Sequence, residues 1–212
     1  MAECGGNGLP GMGGDVAPLL ARASLYRFLS MAFQRPAPGL AAELNALSDL
    51  VPDAFRERTR RVVSLAAPDL EPTYHRTLGA GGTCRSCETD VLPAAGGKGQ
   101  VLADIAGFYR AFLYDPSREQ AESPDHVAAE LGFLAWLAFK EAYAAGRGAD
   151  DEASVCHDAA GKFLADHLGA WAPVLAGCLA GAAVPFYRAA GELLHLVATP
   201  NHRLGPDDQP TT

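Results

Sequence analysis

From Pro124 to Gly146 the chain is apolar over so wide an arc that only the interior of a helical fold can receive it. Val127, Leu131, Leu134 and Ala138 recur at helical spacing on one stripe, and Phe133, Trp136 and Leu137 widen it. The start is marked as clearly as the interior. Ser123 is a good N-cap, Pro124 suits the first helical position, and Asp125 adds negative charge to the first turn. Gly146 ends the segment after about six turns. A helix of this kind belongs at the centre of a fold.

The rest of the chain follows the same period. Asp15 can cap a helix with Val16, Leu19, Leu20, Ala23, Tyr26, Leu29 and Phe33 on one face, ending before Pro36. Shorter helices follow at 40–50, 55–66 and, capped by Asp69 and stopped by Gly79, through Leu70, Tyr74 and Leu78. Residues 79–99 have no apolar period and read as one long glycine-bearing loop. Helical spacing resumes at Val101. Beyond the central helix it predicts three more, Ala153–Leu168, Ala170–Leu179 and Val184–Ala198. No run of alternating β-branched residues interrupts this pattern. The sequence predicts an all-α fold, a single compact helical bundle of about nine helices spanning 15–199. A glycine-rich tail (1–14) and a polar tail (200–212) flank it.

Charge narrows the partners. With 17 basic and 25 acidic residues the formal charge is −8, which disfavours nucleic acid and anionic membranes and favours a basic partner. Charged residues break each apolar stretch before the roughly 20 residues of a membrane span, so no membrane insertion is expected. The glycine-rich start lacks the regions of a targeting peptide, and Arg60-Arg61 reads as two solvated helix arginines rather than an export signal. These features predict a cytoplasmic protein. Its five cysteines are too few and too scattered for a secreted disulfide framework, and Cys156 and Cys178 read as ordinary core residues.

Two clusters bear chemistry. Cys84 and Cys87 form a CxxC, the pattern of a metal, cluster or thiol-exchange site. Zinc wants four ligands, however, and a thioredoxin-like site wants a preceding strand. Two incidental loop cysteines are the plainer reading; a metal- or redox-active helical module is the alternative. Glu122, Asp125, His126 and Glu130 form the second cluster, at the start of the central helix. Adjacent Asp125 and His126 point about 100° apart, whereas His126 and Glu130 share a face. Capping, partner binding and acid–base chemistry all fit these residue types. No nucleophile or phosphate-binding loop accompanies them, and no bound cofactor is expected.

The run from Glu122 to Leu134, with Pro124-Asp125-His126 at its head, resembles the signature of the TorD/DmsD/NarJ family of redox-enzyme maturation chaperones. Upstream, Asp104–Phe112 with its Phe108-Tyr109 pair resembles the family helix leading into that signature. Tyr74–Gly79 followed by Glu88 resembles another family segment, although Gly79 follows Leu78 without the usual intervening aromatic and Cys87 replaces an aromatic before Glu88. The resemblance implies a non-catalytic, all-helical chaperone, monomeric or a domain-swapped dimer. It would bind the twin-arginine signal peptide and N-terminal region of an immature molybdenum (bis-MGD) oxidoreductase catalytic subunit, assist cofactor insertion and delay export. It also implies client contacts at Asp125 and His126, with Tyr74, Glu88, Phe108, Tyr109, Glu122, Pro124 and Glu130 in support. A signal peptide has a basic and an apolar part. On this expectation carboxylates rim an apolar crevice at the head of the central helix, Asp125 meets the basic part, and the Val127/Leu131 side supports the apolar part.

Overall fold

A computed structural model describes residues 16–92, 97–119 and 123–199. The helices are α1 (Ala17–Phe33), α2 (Leu40–Ser48), α3 (Asp53–Ser64), α4 (Glu71–Thr77), α5 (Glu88–Val91), α6 (Lys98–Ala111), α7 (Val127–Gly146), α8 (Asp150–Phe163), α9 (Gly169–Ala180) and α10 (Pro185–Ala198). A π-helical turn, Leu164–Leu168, joins α8 to α9 in one run, so the described residues form nine helical rods. No strand occurs among them; the one β-bridge pairs Cys87 with His126. The all-α expectation holds.

α7 is the axis. It packs along α1 on one side and α8 on the other, while α9 and α10 pair behind and α2 and α3 close one end. Val127, Leu131, Phe133, Leu134 and Leu137 are all buried, as the stripe requires. Glu141 braces the three long helices, paired with Arg22 of α1 and, at 3.2 Å, with Nδ1 of His157 in α8.

Several local expectations need correction. The cap of α7 is His126 rather than Ser123, its Nδ1 accepting the Ala128 amide at 3.2 Å. The imidazole does there what a serine hydroxyl does elsewhere. Leu70, not Asp69, precedes α4, and no side chain caps it. The proposed Asp15 cap lies outside the described residues. The segment 79–99 is not one loop, because α5 interrupts it and α6 begins at Lys98.

Nor does charge break every apolar stretch. The run Asp150–Ala180 is 31 residues long and, by length and composition alone, apolar enough to cross a membrane. Within the fold it carries the buried residues Phe163, Leu168, Trp171 and Leu175. Its π turn closes with the Gly169 amide donating to Leu164 O, and only glycine fits that site. A Cβ there would sit 2.5 Å from Leu164 O and 3.1 Å from Ala198 O. The same π turn carries His167 into the interior.

Candidate functional site

The head of α7 is held under a strap of chain running from Ser86 to Thr89. Val127 N–H donates to Ser86 O at 2.9 Å, and Glu88 N–H donates to Asp125 O at 3.0 Å. Asp125 Oδ2 accepts from both the backbone N–H (3.0 Å) and the hydroxyl (2.7 Å) of Thr89, and its other oxygen takes the Ser123 hydroxyl. Desolvation opposes the Asp125 charge. The Ser123 and Thr89 hydrogen bonds outweigh it and hold the carboxyl below its usual range. Asp125 therefore supplies the missing cap to α5 from across the fold. Sequence-adjacent Asp125 and His126 do separate jobs, as their angular separation demands.

Behind the strap lies a deeper polar cluster. Glu130 is fully buried; its Oε2 accepts the Trp171 indole N–H at 3.0 Å and its Oε1 has no hydrogen-bond partner. Burial first, and neighbouring Glu88 second, push the Glu130 carboxyl well above its usual range and favour its neutral form. Glu88, the first residue of α5, meets His167 Nδ1 at 3.1 Å. His167 Nε2 lies 3.4 Å from Asp104 Oδ2, within ion-pair range but without a directed hydrogen bond. His126 is neutral too: burial lowers its pKa to about 4, against the pull of Asp125. Since Nδ1 accepts, Nε2 carries the proton, and that buried N–H also has no partner.

The remaining expected site residues frame this cluster. Tyr109 donates its hydroxyl to Pro124 O at 2.8 Å, and Phe108 stands edge-on to His167 with ring centres 5.7 Å apart. Pro124 is exposed beside them. Tyr74 is buried in α4, whose end is tied to the strap by Ser86 Oγ donating to Leu78 O at 2.8 Å. Glu122 lies outside the described residues. Asp125, His126, Glu130, Glu88, Phe108 and Tyr109 thus converge, but inside the protein. The expectation of carboxylates rimming a crevice mouth is corrected on this point. The site also contains His167, Trp171 and Thr89, which sequence reasoning missed. His167 is separated from Glu88 by 79 positions, and no motif links them.

The CxxC is not a unit. Cys84 is bonded to Cys178 of α9, 94 positions away, with Cα atoms 5.8 Å apart. Reading Cys84 as incidental and Cys178 as plain core was mistaken; spacing in sequence hides a pair joined only by the fold. Cys87 is free, and burial, with Asp125 and Asp90 adding to it, pushes its thiol up to about 12. Such a thiol is a poor nucleophile and a poor metal ligand at neutral pH. Among the described residues no group of three or more His, Cys, Asp or Glu is placed to hold a metal.

A second feature lies halfway along α7. A groove of about 830 Å³ runs between α1, α2, α7 and the segment after α6. Its floor is small (Ala23, Gly132, Ala135) and its lips are large and exposed: Leu20, Leu50, Leu113 and Phe139. Leu113 is 82 % exposed and holds a left-handed backbone, φ 56°. It occupies the position past the end of α6 where glycine is preferred. Tyr114 N–H returns to Tyr109 O (2.9 Å) and Leu113 N–H to Arg110 O (3.3 Å) in a Schellman closure. A leucine there is held against its own backbone preference.

Comparison with known proteins places this architecture. Residues 34–177 match the nitrate reductase delta subunit family, which covers more than half of the chain. The chain belongs to that family. It is 34 % identical over 164 residues to a chlorate reductase assembly chaperone protein from Ideonella dechloratans, covering 74 % of this chain and 82 % of the relative. It is 33 % identical over 153 residues to a selenate reductase assembly chaperone protein from Thauera selenatis, covering 72 % and 74 %. No solved structure matches it. The resemblance to the maturation chaperones is thereby borne out, since both of these relatives are assembly chaperones of reductases.

Proposed function

We propose that this delta-family chain is a cytoplasmic assembly chaperone. On this reading it binds the signal peptide and N-terminal region of an immature molybdenum oxidoreductase catalytic subunit, keeps that subunit receptive to its cofactor, and delays its export until loading is done. The observation that carries the reading is the groove on α7. An apolar trough of about 830 Å³ with exposed leucine and phenylalanine lips, on a chain of formal charge −8, suits a segment that is apolar along one part and basic at another. Kinship with chaperones of chlorate and selenate reductases supports the same class of client. Asp125 and His126 serve this function from inside, by fixing the strap and the head of α7. A direct contact of either with the client requires the strap to lift.

Isothermal titration of the full chain with a peptide bearing a twin-arginine n-region and an apolar h-region tests the proposal. Binding is expected, with affinity reduced at least about tenfold in Leu50→Asp/Phe139→Asp, because charged lips desolvate poorly against an apolar ligand. No binding by the wild-type chain, or full affinity in the double variant, would overturn it.

A further inference from the structure

We propose that the Cys84–Cys178 disulfide is a redox clasp on the strap over the head of α7: closed, it holds Ser86–Thr89 down on Asp125 and His126, and opened, it lets the strap lift and uncovers them. The purpose of such opening rests on the proposed function; the opening itself does not.

The strap's other attachments are individually weak. Four hydrogen bonds fix it to the head of α7, through Val127, Glu88 and the two donors of Thr89. On its upstream side Cys84 N–H donates to Thr77 O at 2.8 Å and Thr83 N–H to Arg76 O at 3.0 Å, which joins the strap to α4. α4 has no extensive pairing with another helix, but its Leu70, Tyr74 and Leu78 are anchored in the core, and Glu88 of the strap meets His167 Nδ1 at 3.1 Å. The bond to Cys178 is the one covalent tie between the strap's upstream end and α9. Local unfolding draws on segments held by a small set of hydrogen bonds, as the strap beyond that anchor is.

The chemistry has an accessible side. Cys178 is exposed on α9, whereas Cys84 is buried. A dithiol reductant of a reducing compartment attacks as thiolate at Cys178 Sγ, and Cys84 departs as thiolate and takes up a proton. The reductant's second thiol then displaces Cys178 as a thiol. One external dithiol becomes a disulfide, one protein disulfide becomes two thiols, and two electrons and two protons change hands. While the strap is down, Cys87, three positions from Cys84, does not compete, because its own burial, with Asp125 and Asp90 adding to it, keeps it protonated. A disulfide with one exposed cysteine is open to thiol attack from that side.

Amide hydrogen exchange on the full chain, air-oxidised and then treated with dithiothreitol, tests the clasp. Alkylation before reduction should leave Cys84 and Cys178 unlabelled. On reduction, exchange across 84–92 and 123–129 should accelerate at least about tenfold while α1 and α10 keep their protection. Cys84→Ser/Cys178→Ser should match the reduced state in either buffer, and Cys87→Ser should behave as wild type. The proposal fails if both cysteines label in the air-oxidised chain. It fails equally if the strap exchanges alike in both states, or if α1 and α10 loosen together with it, which would make the bond a staple of the whole fold. A strap that switches in a chain that binds no signal peptide would strike the proposed function alone.

Discussion

One helix carries two inverted surfaces. At the head of α7 the polar side chains Asp125, His126 and Glu130 are buried; further along, the apolar side chain of Phe139 is 49 % exposed beside Leu20, Leu50 and Leu113. Both regions run against the usual partition of side chains, and for different reasons. The head spends its polar groups on internal closure, a cap for α5, a cap for α7 and a partner for Trp171. The middle leaves apolar area that none of the described residues covers. The residues that identify the family by sequence are thus its bracing, and the surface open to a partner is built of residues with no signature at all.

If the head is bracing, breaking it should cost stability first. Asp125→Ala deletes the acceptor of three hydrogen bonds and leaves the half-buried Thr89 N–H without its acceptor. A loss of about 3–5 kcal/mol is expected in urea unfolding, in line with removing one partner of a buried charged network. A loss under about 1 kcal/mol, with client affinity abolished, would reverse the comparison and make the head a contact surface.

The pH profile sharpens the same contrast, because the head holds two groups that titrate in opposite senses. The folded pKa of His126 is depressed to about 4 from 6.5, so the unfolded chain binds a proton there that the folded chain refuses. Stability is complete above pH 6.5 and falls, by about 3 kcal/mol in all, as pH drops to 4. Glu130 is raised above 4.5, so its contribution is complete below pH 4.5 and is lost as pH rises through the folded value. Above pH 4.5 the Glu130 slope opposes that of His126 and flattens the wild-type profile. Each substitution unmasks the other. His126→Asn keeps an oxygen to cap Ala128 and should lose stability steadily above pH 4.5, whereas Glu130→Gln should gain stability from pH 4 to 6.5 and then level off. Thermal unfolding across pH 4–8 reads both; parallel profiles in the two variants would show that the cluster is not the pair of neutral groups described here.

How much of this was open to sequence reading follows from range. The α7 stripe, the all-α pattern and the family signature are local patterns, set by residues within a few turns of one another, and they were legible; the count of nine agrees because α5, hidden in the expected loop, offsets the joining of α8 and α9. Boundaries slipped where a local signal had a rival: Ser123 is a fine cap, but a turn closes from His126 N–H to Ser123 O and the strap pins His126 in extended chain, so the helix starts later. The burial of the site was not legible, because burial is a property of the whole fold. Nothing near Asp125 announces that Thr89 will cover it, nothing near Glu88 points to His167, and nothing in CxxC spacing reveals Cys178 as the true partner.

Leu113 offers the finest cut between the two regions. At the head, loss of function and loss of stability should travel together, since the same hydrogen bonds serve both. At the groove they should part. Leucine in the left-handed position after α6 carries a backbone penalty that glycine escapes, about 1 kcal/mol. Its side chain, 82 % exposed, returns almost nothing to the folded chain in exchange. Leu113→Gly should therefore raise stability by up to about 1 kcal/mol in urea unfolding, less whatever glycine adds to the freedom of the unfolded chain. The same substitution removes one lip of the groove and should weaken peptide binding several-fold by titration. A gain in stability joined to a loss of affinity is what a residue retained for a partner produces. Were Leu113→Gly to bind the peptide as tightly as wild type, the left-handed leucine would have no functional reason to be there, and the groove would lose its strongest claim to be the working surface.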